Sequence, residues 1–358
     1  MDNFKDEAAR LEASCTRALV LHGQRNTAQL LAELPTDIVS DEYGDGGVVS
    51  ELEDEVAELL GVEAAIFLPS GTMAQQIALR IHADASARRT VLLHPTSHPV
   101  LHEDQAMERL HGLQPRPVGD PTALLSRGHL DEVAEAPAAL LLELPQREIG
   151  GQLPEWDDLV AQVQWAQDRG AAVHLDGARL WQCGVAYDRS LPEIAALFDT
   201  MYVSFYKDLG GLSGSCLTGS LEFAAEVREW RHRHGGTLFA MWPYAASSLA
   251  ALRMRLPRMA SYRTHALALA AGVDDLDGVR VHPGPPQTSM FHLKLRGTAT
   301  ALLEGLRSIA KDDGISTWSD THPTGHPDWR SVEMTVGDAT LDFTPAEFRS
   351  IAARIVEG

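Results

Sequence analysis

The chain has 358 residues, 44% of them hydrophobic, and a formal charge of −20. That length exceeds what one hydrophobic core usually supports, so a large domain with a smaller second one is expected, and the acidic surplus would repel a phosphate backbone or an anionic bilayer, which argues against nucleic acid or membrane partners. The first twenty residues are charged and hold no apolar run before a small-residue cleavage site, while Cys15, Cys183 and Cys216 are odd in number and far apart, so a cytoplasmic protein with reduced thiols is expected.

In chain order, an amphipathic N-terminal stretch is followed by a helix over Asp54–Leu60 that ends at Gly61. The strand-like run AAIFLP then leads into Ser70-Gly71-Thr72 and a helix whose apolar positions Met73, Ile77 and Ile81 recur every four residues. Free N–H groups and the positive dipole end at such a helix start bind an anion, with the Ser70 and Thr72 hydroxyls as extra donors; Ser70 could equally be an ordinary N-cap. Next comes TVLLH, then a mixed segment in which His94, His98 and His102 stand four apart with Glu103 beside them. On a helix these would share a face and could bind zinc, as in a metallohydrolase. Pro95 and Pro99 interrupt that spacing, however, and the second would break the helix, so no metal is expected.

The runs AALLLELP, AAVHLDG, TMYVSF and SGSCLTG, with a helix from about Glu155 to Gly170 between the first two, complete an alternation of βα units. This implies an α/β fold with a parallel or mostly parallel sheet covered on both faces. From about Trp242 the helical stretch YAASSLAALRMRL leads into a different texture, with Pro283, Pro285 and Pro286 before SMFHLKL. The expected division is residues 1–245 for an N-terminal arm and large domain, and 246–358 for a small C-terminal domain.

Only four lysines occur, at positions 5, 207, 294 and 311, against twenty-six arginines. Lys207 follows an apolar run and precedes the glycine turn DLGGLSGS, at a strand end of the kind where open α/β sheets place ligands. A partly desolvated amine there can attack an aldehyde; it could also be a lysine snorkelling from the strand end. Asp176 ends the strand AAVHLDG thirty-one residues earlier. The ring of pyridoxal phosphate (PLP) accepts electrons only while its nitrogen stays protonated, a state that a buried carboxylate enforces, so Asp176 is the candidate partner. Arg179 in the same turn could fork onto a substrate carboxylate, and Ser204 is a further candidate phosphate donor. No G-x-G-x-x-G opens a helix after a strand, which argues against a nicotinamide oxidoreductase.

The segments DEYGDGGVVSELEDEVAELLG, FLPSGTMAQQIAL, TSHPVLHE, LELPQREIGGQLP, VHLDGARL, SFYKDLGGLSGS and RHRHGG resemble those of the threonine aldolase and β-eliminating lyase family of fold-type I PLP enzymes. The resemblance runs from about Asp41 to Leu252 and returns near the C-terminus. It implies an aspartate aminotransferase-like large domain, a smaller C-terminal α+β domain, PLP as cofactor, an amino acid substrate and a homo-oligomer, dimer or tetramer. The implied reaction is retro-aldol cleavage of a β-hydroxy-α-amino acid (L-threonine, L-allo-threonine or an aromatic analogue such as phenylserine) to glycine and an aldehyde. A β-eliminating lyase would use the same site to release pyruvate and ammonia.

By position, the resemblance implies that Lys207 carries the cofactor, Asp176 pairs with its ring nitrogen, and Gly71 and Thr72 take its phosphate. His98 would stack on the ring; apart from the resemblance, it is also the candidate base, directly or through a water that Glu103 could orient, although Glu103 could equally be a solvated surface carboxylate. Arg179 and Arg330 would hold the substrate carboxylate, and Tyr43 would lie near the cofactor of a neighbouring subunit. The chain departs from the family at ALVLHGQRNT, where His22 would stand in for a substrate-touching serine, and at Phe239 and Ala240, which replace an arginine-glutamine contact.

Overall fold

The computed structural model describes residues 11–357. Two compact units emerge, one of Leu30–Ile149 with Leu153–Pro257, the other of the N-terminal segment through Gln29, Gly150–Gln152 and the residues from Arg258 onward. This differs from a cut at residues 245 and 246, which falls inside the helix Trp242–Arg255. The physical reasons are specific contacts. Arg253 on that helix pairs with Glu51 and Glu55 of the larger unit. The N-terminal Arg17–Ala18 pairs in parallel with Ile315–Ser316, and Leu21 N donates to Thr335 O at 2.9 Å.

The larger unit is built on seven strands: β1 (Ala64–Leu68), β2 (Thr90–Leu93), β3 (Gln114–Pro117), β4 (Ala139–Glu143), β5 (Ala172–Gly177), β6 (Thr200–Ser204) and β7 (Ser215–Gly219). Their order is β1-β7-β6-β5-β4-β2-β3, with β7 antiparallel to both neighbours and the other pairs parallel. Six of these are the apolar runs legible in the sequence, buried on both faces as a covered parallel sheet requires. The seventh, β3, reads QPRP and has no apolar signature. Its prolines cannot donate to a ladder, and they are tolerated because β3 pairs only with β2 at the sheet edge.

The helix Gly71–Ser86 shows why the apolar spacing matters. Its Ala74, Ile77, Ala78 and Ile81 pack against Ile66, Leu68, Tyr202 and Leu217 of the sheet and Phe223 and Val227 of the helix Leu221–Arg233. Each isoleucine buried there contributes about 1.5–3 kcal/mol. The helix Gly47–Leu60 begins seven residues before the expected start, because Val48, Leu52, Val56 and Leu60 form one buried stripe. It does stop where expected: Gly61 sits at φ 65° and its N–H donates to Glu58 O at 3.2 Å.

The smaller unit carries an antiparallel sheet of β8 (Val279–His282), β9 (Met290–Arg296) and β10 (Trp329–Thr335), extended by His322–Pro323 beside β10. In β9 Phe291, Leu293 and Leu295 are buried while His292 and Lys294 are less so, the alternation of a sheet covered on one face. The helices Met259–Val273, Ala299–Asp313 and Pro345–Glu357 belong to this unit. None of the described helices is long and apolar enough to cross a membrane.

Candidate active site

Parallel strands bring their C-terminal ends to one side of the sheet, where ligands of open α/β folds bind. Here β4 ends at Glu143, β5 carries Asp176 opposite it in register, and three residues past the end of β6 the chain reaches Lys207. Glu143, Asp176, Ala178, Arg179, Lys207 and His98 line one cleft. Two sequence signals far apart in the chain, the lysine and the aspartate, thus meet because β5 and β6 are adjacent.

Asp176 is 2% exposed, and its Oδ1 accepts a hydrogen bond from Ala178 N at 3.0 Å. Burial holds the Lys207 amine below its ordinary pKa; Asp176 opposes that shift and Arg179 adds to it. The Arg179 guanidinium is largely buried, with Nε 3.4 Å from Asp208 Oδ1. His98 enters from the short helix His98–Leu101, where its Nδ1 lies 3.3 Å from Glu103 Oε1. Gln76 Nε2 donates to the other oxygen of Glu103 at 2.6 Å. A carboxylate only accepts, so this contact puts the imidazole proton on Nδ1 and leaves Nε2 as a base.

The helix Gly71–Ser86 starts where the sequence suggests. Ser70 caps it, with Oγ accepting from Met73 N at 3.5 Å, and no acidic residue in the first turn offsets the dipole. Gly71 admits no side chain, because a Cβ there would collide with the Tyr202 hydroxyl. Thr72 is exposed in the first turn. Ser204, expected as a phosphate donor, is fully buried and instead donates to Ala178 O at 2.7 Å, bracing β6 against the turn after β5.

The histidine series does not form a zinc ligand set. His94 Nε2 points at the carbonyls of Asp120 and Ala123, at 2.9 and 2.8 Å, while His102 Nε2 meets Glu148 at 2.9 Å. Only His98–Leu101 is helical, so the four-residue spacing never becomes a shared face. Among the described residues no group of three or more His, Cys, Asp or Glu side chains converges on a common point.

Tyr43 is 55% exposed at φ 55°, its ring edge-on to Phe239 at 5.3 Å. Phe239 is itself exposed and does not line the cleft. In the smaller unit, the His22 side chain is 4% exposed and its Nδ1 accepts from Asp338 N at 3.2 Å. Arg330, on β10, donates through Nε to Thr321 Oγ1 at 3.0 Å and through Nη2 to Thr321 O.

Two residues of the cleft region escaped the sequence reading. Glu143 ends an apolar run as Asp176 does, and that parallel was the available signal; its carboxyl pKa is pushed up to about 8, by burial first and the Asp176 charge second. Gln76 carried no signal, being one of two glutamines in a helix.

A lysine and an aspartate at neighbouring parallel strand ends, in a mostly parallel seven-stranded sheet, define an α/β protein of the fold-type I class. The beta-eliminating lyase family matches residues 27–296, and the chain belongs to that family. It is 26% identical to low-specificity L-threonine aldolase 1 of Arabidopsis thaliana over 78% of this chain and 80% of that one. With the low specificity L-threonine aldolase of Escherichia coli K12 it shares 32% identity, over 65% and 71% of the two chains. A crystal structure from Listeria monocytogenes, provisionally described as an L-allo-threonine aldolase, superposes with a TM-score of 0.91 at 35% identity and covers 98% of both chains. An Exiguobacterium structure, provisionally described as an aromatic amino acid beta-eliminating lyase/threonine aldolase, gives the same score and identity over 98% and 99%.

Proposed function

We propose that this chain is a PLP-dependent aldolase that cleaves a β-hydroxy-α-amino acid, L-threonine or L-allo-threonine foremost, to glycine and an aldehyde. The observation that carries the reading is the placement of Lys207 and Asp176 on one cleft at adjacent strand ends. The residues present fit the cofactor on three counts: a half-buried amine, a buried carboxylate within the same cleft, and a helix start whose glycine leaves its backbone bare.

PLP, when bound, supplies an aldehyde that captures amines and a protonated ring that draws electrons from the substrate. Lys207 would provide the tethering amine, and the burial that lowers its pKa favours the neutral, nucleophilic form relative to an exposed lysine. Asp176 would hold the ring-nitrogen proton, and Ala178 lines the same cleft. The backbone N–H groups at Gly71 and Thr72, with the Ser70 hydroxyl, bind the phosphate. Arg179 forks onto the substrate carboxylate, and the sequence pattern adds Arg330 to that role. His98, with Nδ1 held by Glu103, accepts the β-hydroxyl proton at Nε2 as the Cα–Cβ bond opens. The exposed Val39, Tyr43, Leu238 and Phe239 support a homo-oligomer, and three free cysteines support a reducing, cytoplasmic location.

The test is product analysis of purified protein supplied with PLP and L-threonine, L-allo-threonine or phenylserine. Glycine and the matching aldehyde are expected, and Lys207→Ala should lose both turnover and the cofactor's visible absorbance. Pyruvate and ammonia in place of glycine would convert the reading to β-elimination, and a fully active Lys207→Ala protein would end it.

A further inference from the structure

Glu143 has no part in the mechanism above, yet it stands beside the residue on which that mechanism leans. Residues paired in register on adjacent parallel strands project to the same face, and Glu143 pairs with Asp176. Both line the cleft that holds Lys207. The Glu143 carboxyl accepts from Arg147 N at 3.0 Å through Oε1 and from Gln146 Nε2 at 3.2 Å through Oε2. Gln146 Nε2 is shared with Thr96 Oγ1 at 3.3 Å, and Thr96 in turn contacts His94. Those donors hold the Glu143 side chain in place. Asp176 is buried and Glu143 partly so, and two neighbouring carboxylates with reduced access to water resist ionising together, as in any dyad that shares a site.

We propose that Glu143 and Asp176, side by side at the in-register ends of β4 and β5, form a carboxyl pair that holds one proton, Glu143 being the positioning residue that leaves Asp176 as the charged member. This deepens the PLP reading and rests on it for its consequence: a single negative charge faces the ring nitrogen. The groups around the pair are of both signs. Lys207 and Asp208 follow β6, Arg179 follows β5, Arg147 and Glu148 follow β4, and His98 and His102 come from the segment after β2. Lys207 and Arg179 favour the charged form of Glu143, but burial and the Asp176 charge outweigh them.

For an acid whose folded pKa lies above its unfolded value, the stabilising contribution is complete below the unfolded pKa and is lost as pH rises through the folded one. For Glu143 that window runs from the ordinary 4.5 up to about 8. Full-length wild type, Glu143→Gln and Asp176→Asn are therefore unfolded in urea across this range, with and without PLP, and the pH midpoint of the bound cofactor's visible absorbance is recorded. Wild type should lose stability up to about pH 8, Glu143→Gln should lack the upper part of that loss, and Asp176→Asn should move it to lower pH because the neighbouring charge is gone. Where the absorbance titrates above about pH 8, Glu143 has lost its proton and its charge supports nearby cations, so there the midpoint should fall in Glu143→Gln by at least about half a pH unit. Superimposable wild-type and Glu143→Gln profiles in both measurements would overturn the pair, as would an unmoved loss in Asp176→Asn, which decides the matter alone if Glu143→Gln does not fold. Failure of every protein to take up PLP would instead refute the aldolase reading, and the unfolding curves would still decide the pair.

Discussion

Replacing Gly71 by alanine sets two physical effects of opposite sign against each other. Helix propensity favours alanine over glycine by up to about 1 kcal/mol, less at the first helical position. Against this, the new Cβ would stand 2.8 Å from Cζ and 3.0 Å from Cε2 of Tyr202, and closer still to its hydroxyl. Tyr202 cannot yield easily: it lies in β6, is 3% exposed, and is paired with Asp176 on one side and Leu217 on the other. Overpacking of this kind costs roughly 1–3 kcal/mol, so net destabilisation is expected. If the strain is relieved by moving the helix start, the phosphate donors move with it, and PLP affinity should fall about tenfold, the equivalent of 1.4 kcal/mol. Urea unfolding and equilibrium titration with PLP measure the two effects. Tyr202→Phe removes the nearest clashing atom, so a double-mutant cycle should show it recovering about 1 kcal/mol of the loss. A Gly71→Ala protein as stable as wild type, with unchanged PLP affinity, would refute the reasoning.

Further outcomes follow from buried acids away from the cleft. Asp41 accepts hydrogen bonds from Gly44 N, Met241 N and Trp242 N at 2.7–3.0 Å, tying the loop at Tyr43 to the start of the helix Trp242–Arg255. Asp41→Ala should cost roughly 2–4 kcal/mol in urea unfolding, with Asp41→Asn recovering part; a change under about 0.5 kcal/mol would contradict this. Glu53 is buried, its pKa pushed up to about 7 by burial even though Phe67 N, Arg231 and Arg228 favour its charge. Its contribution is complete below pH 4.5 and is lost as pH rises to about 7. Glu53→Gln should flatten the unfolding profile in that interval by about 3 kcal/mol, and an unchanged slope would show that Glu53 ionises freely in the fold. His82 and His174 act in the other direction: burial depresses their pKa values to about 4 and about 3, so stability should drop as pH falls below about 6.5, and His82→Gln should soften that drop.

Much of this protein follows from local chemistry that a sequence displays directly. Apolar runs bounded by turn residues marked six of the seven large-sheet strands, since strands buried on both faces must be apolar throughout. Lys207, Asp176 and the Ser70–Thr72 helix start were legible because each is a polar residue at the end of such a run, where the backbone leaves the core. β3 was not, because an edge strand needs neither apolar faces nor a full ladder, and QPRP looks like loop. Side-chain direction and partner choice were decided only by tertiary structure. His94 and His98 read as one ligand series, but they turn to separate partners because the chain between them does not stay helical. Ser204 spends its hydroxyl on Ala178, His22 is enclosed beside Asp338, and Glu143 gains its meaning from a strand register that places it against Asp176. Register and burial depend on residues far apart in the chain, so periodicity along one strand could not reveal which two carboxyls the sheet would set side by side.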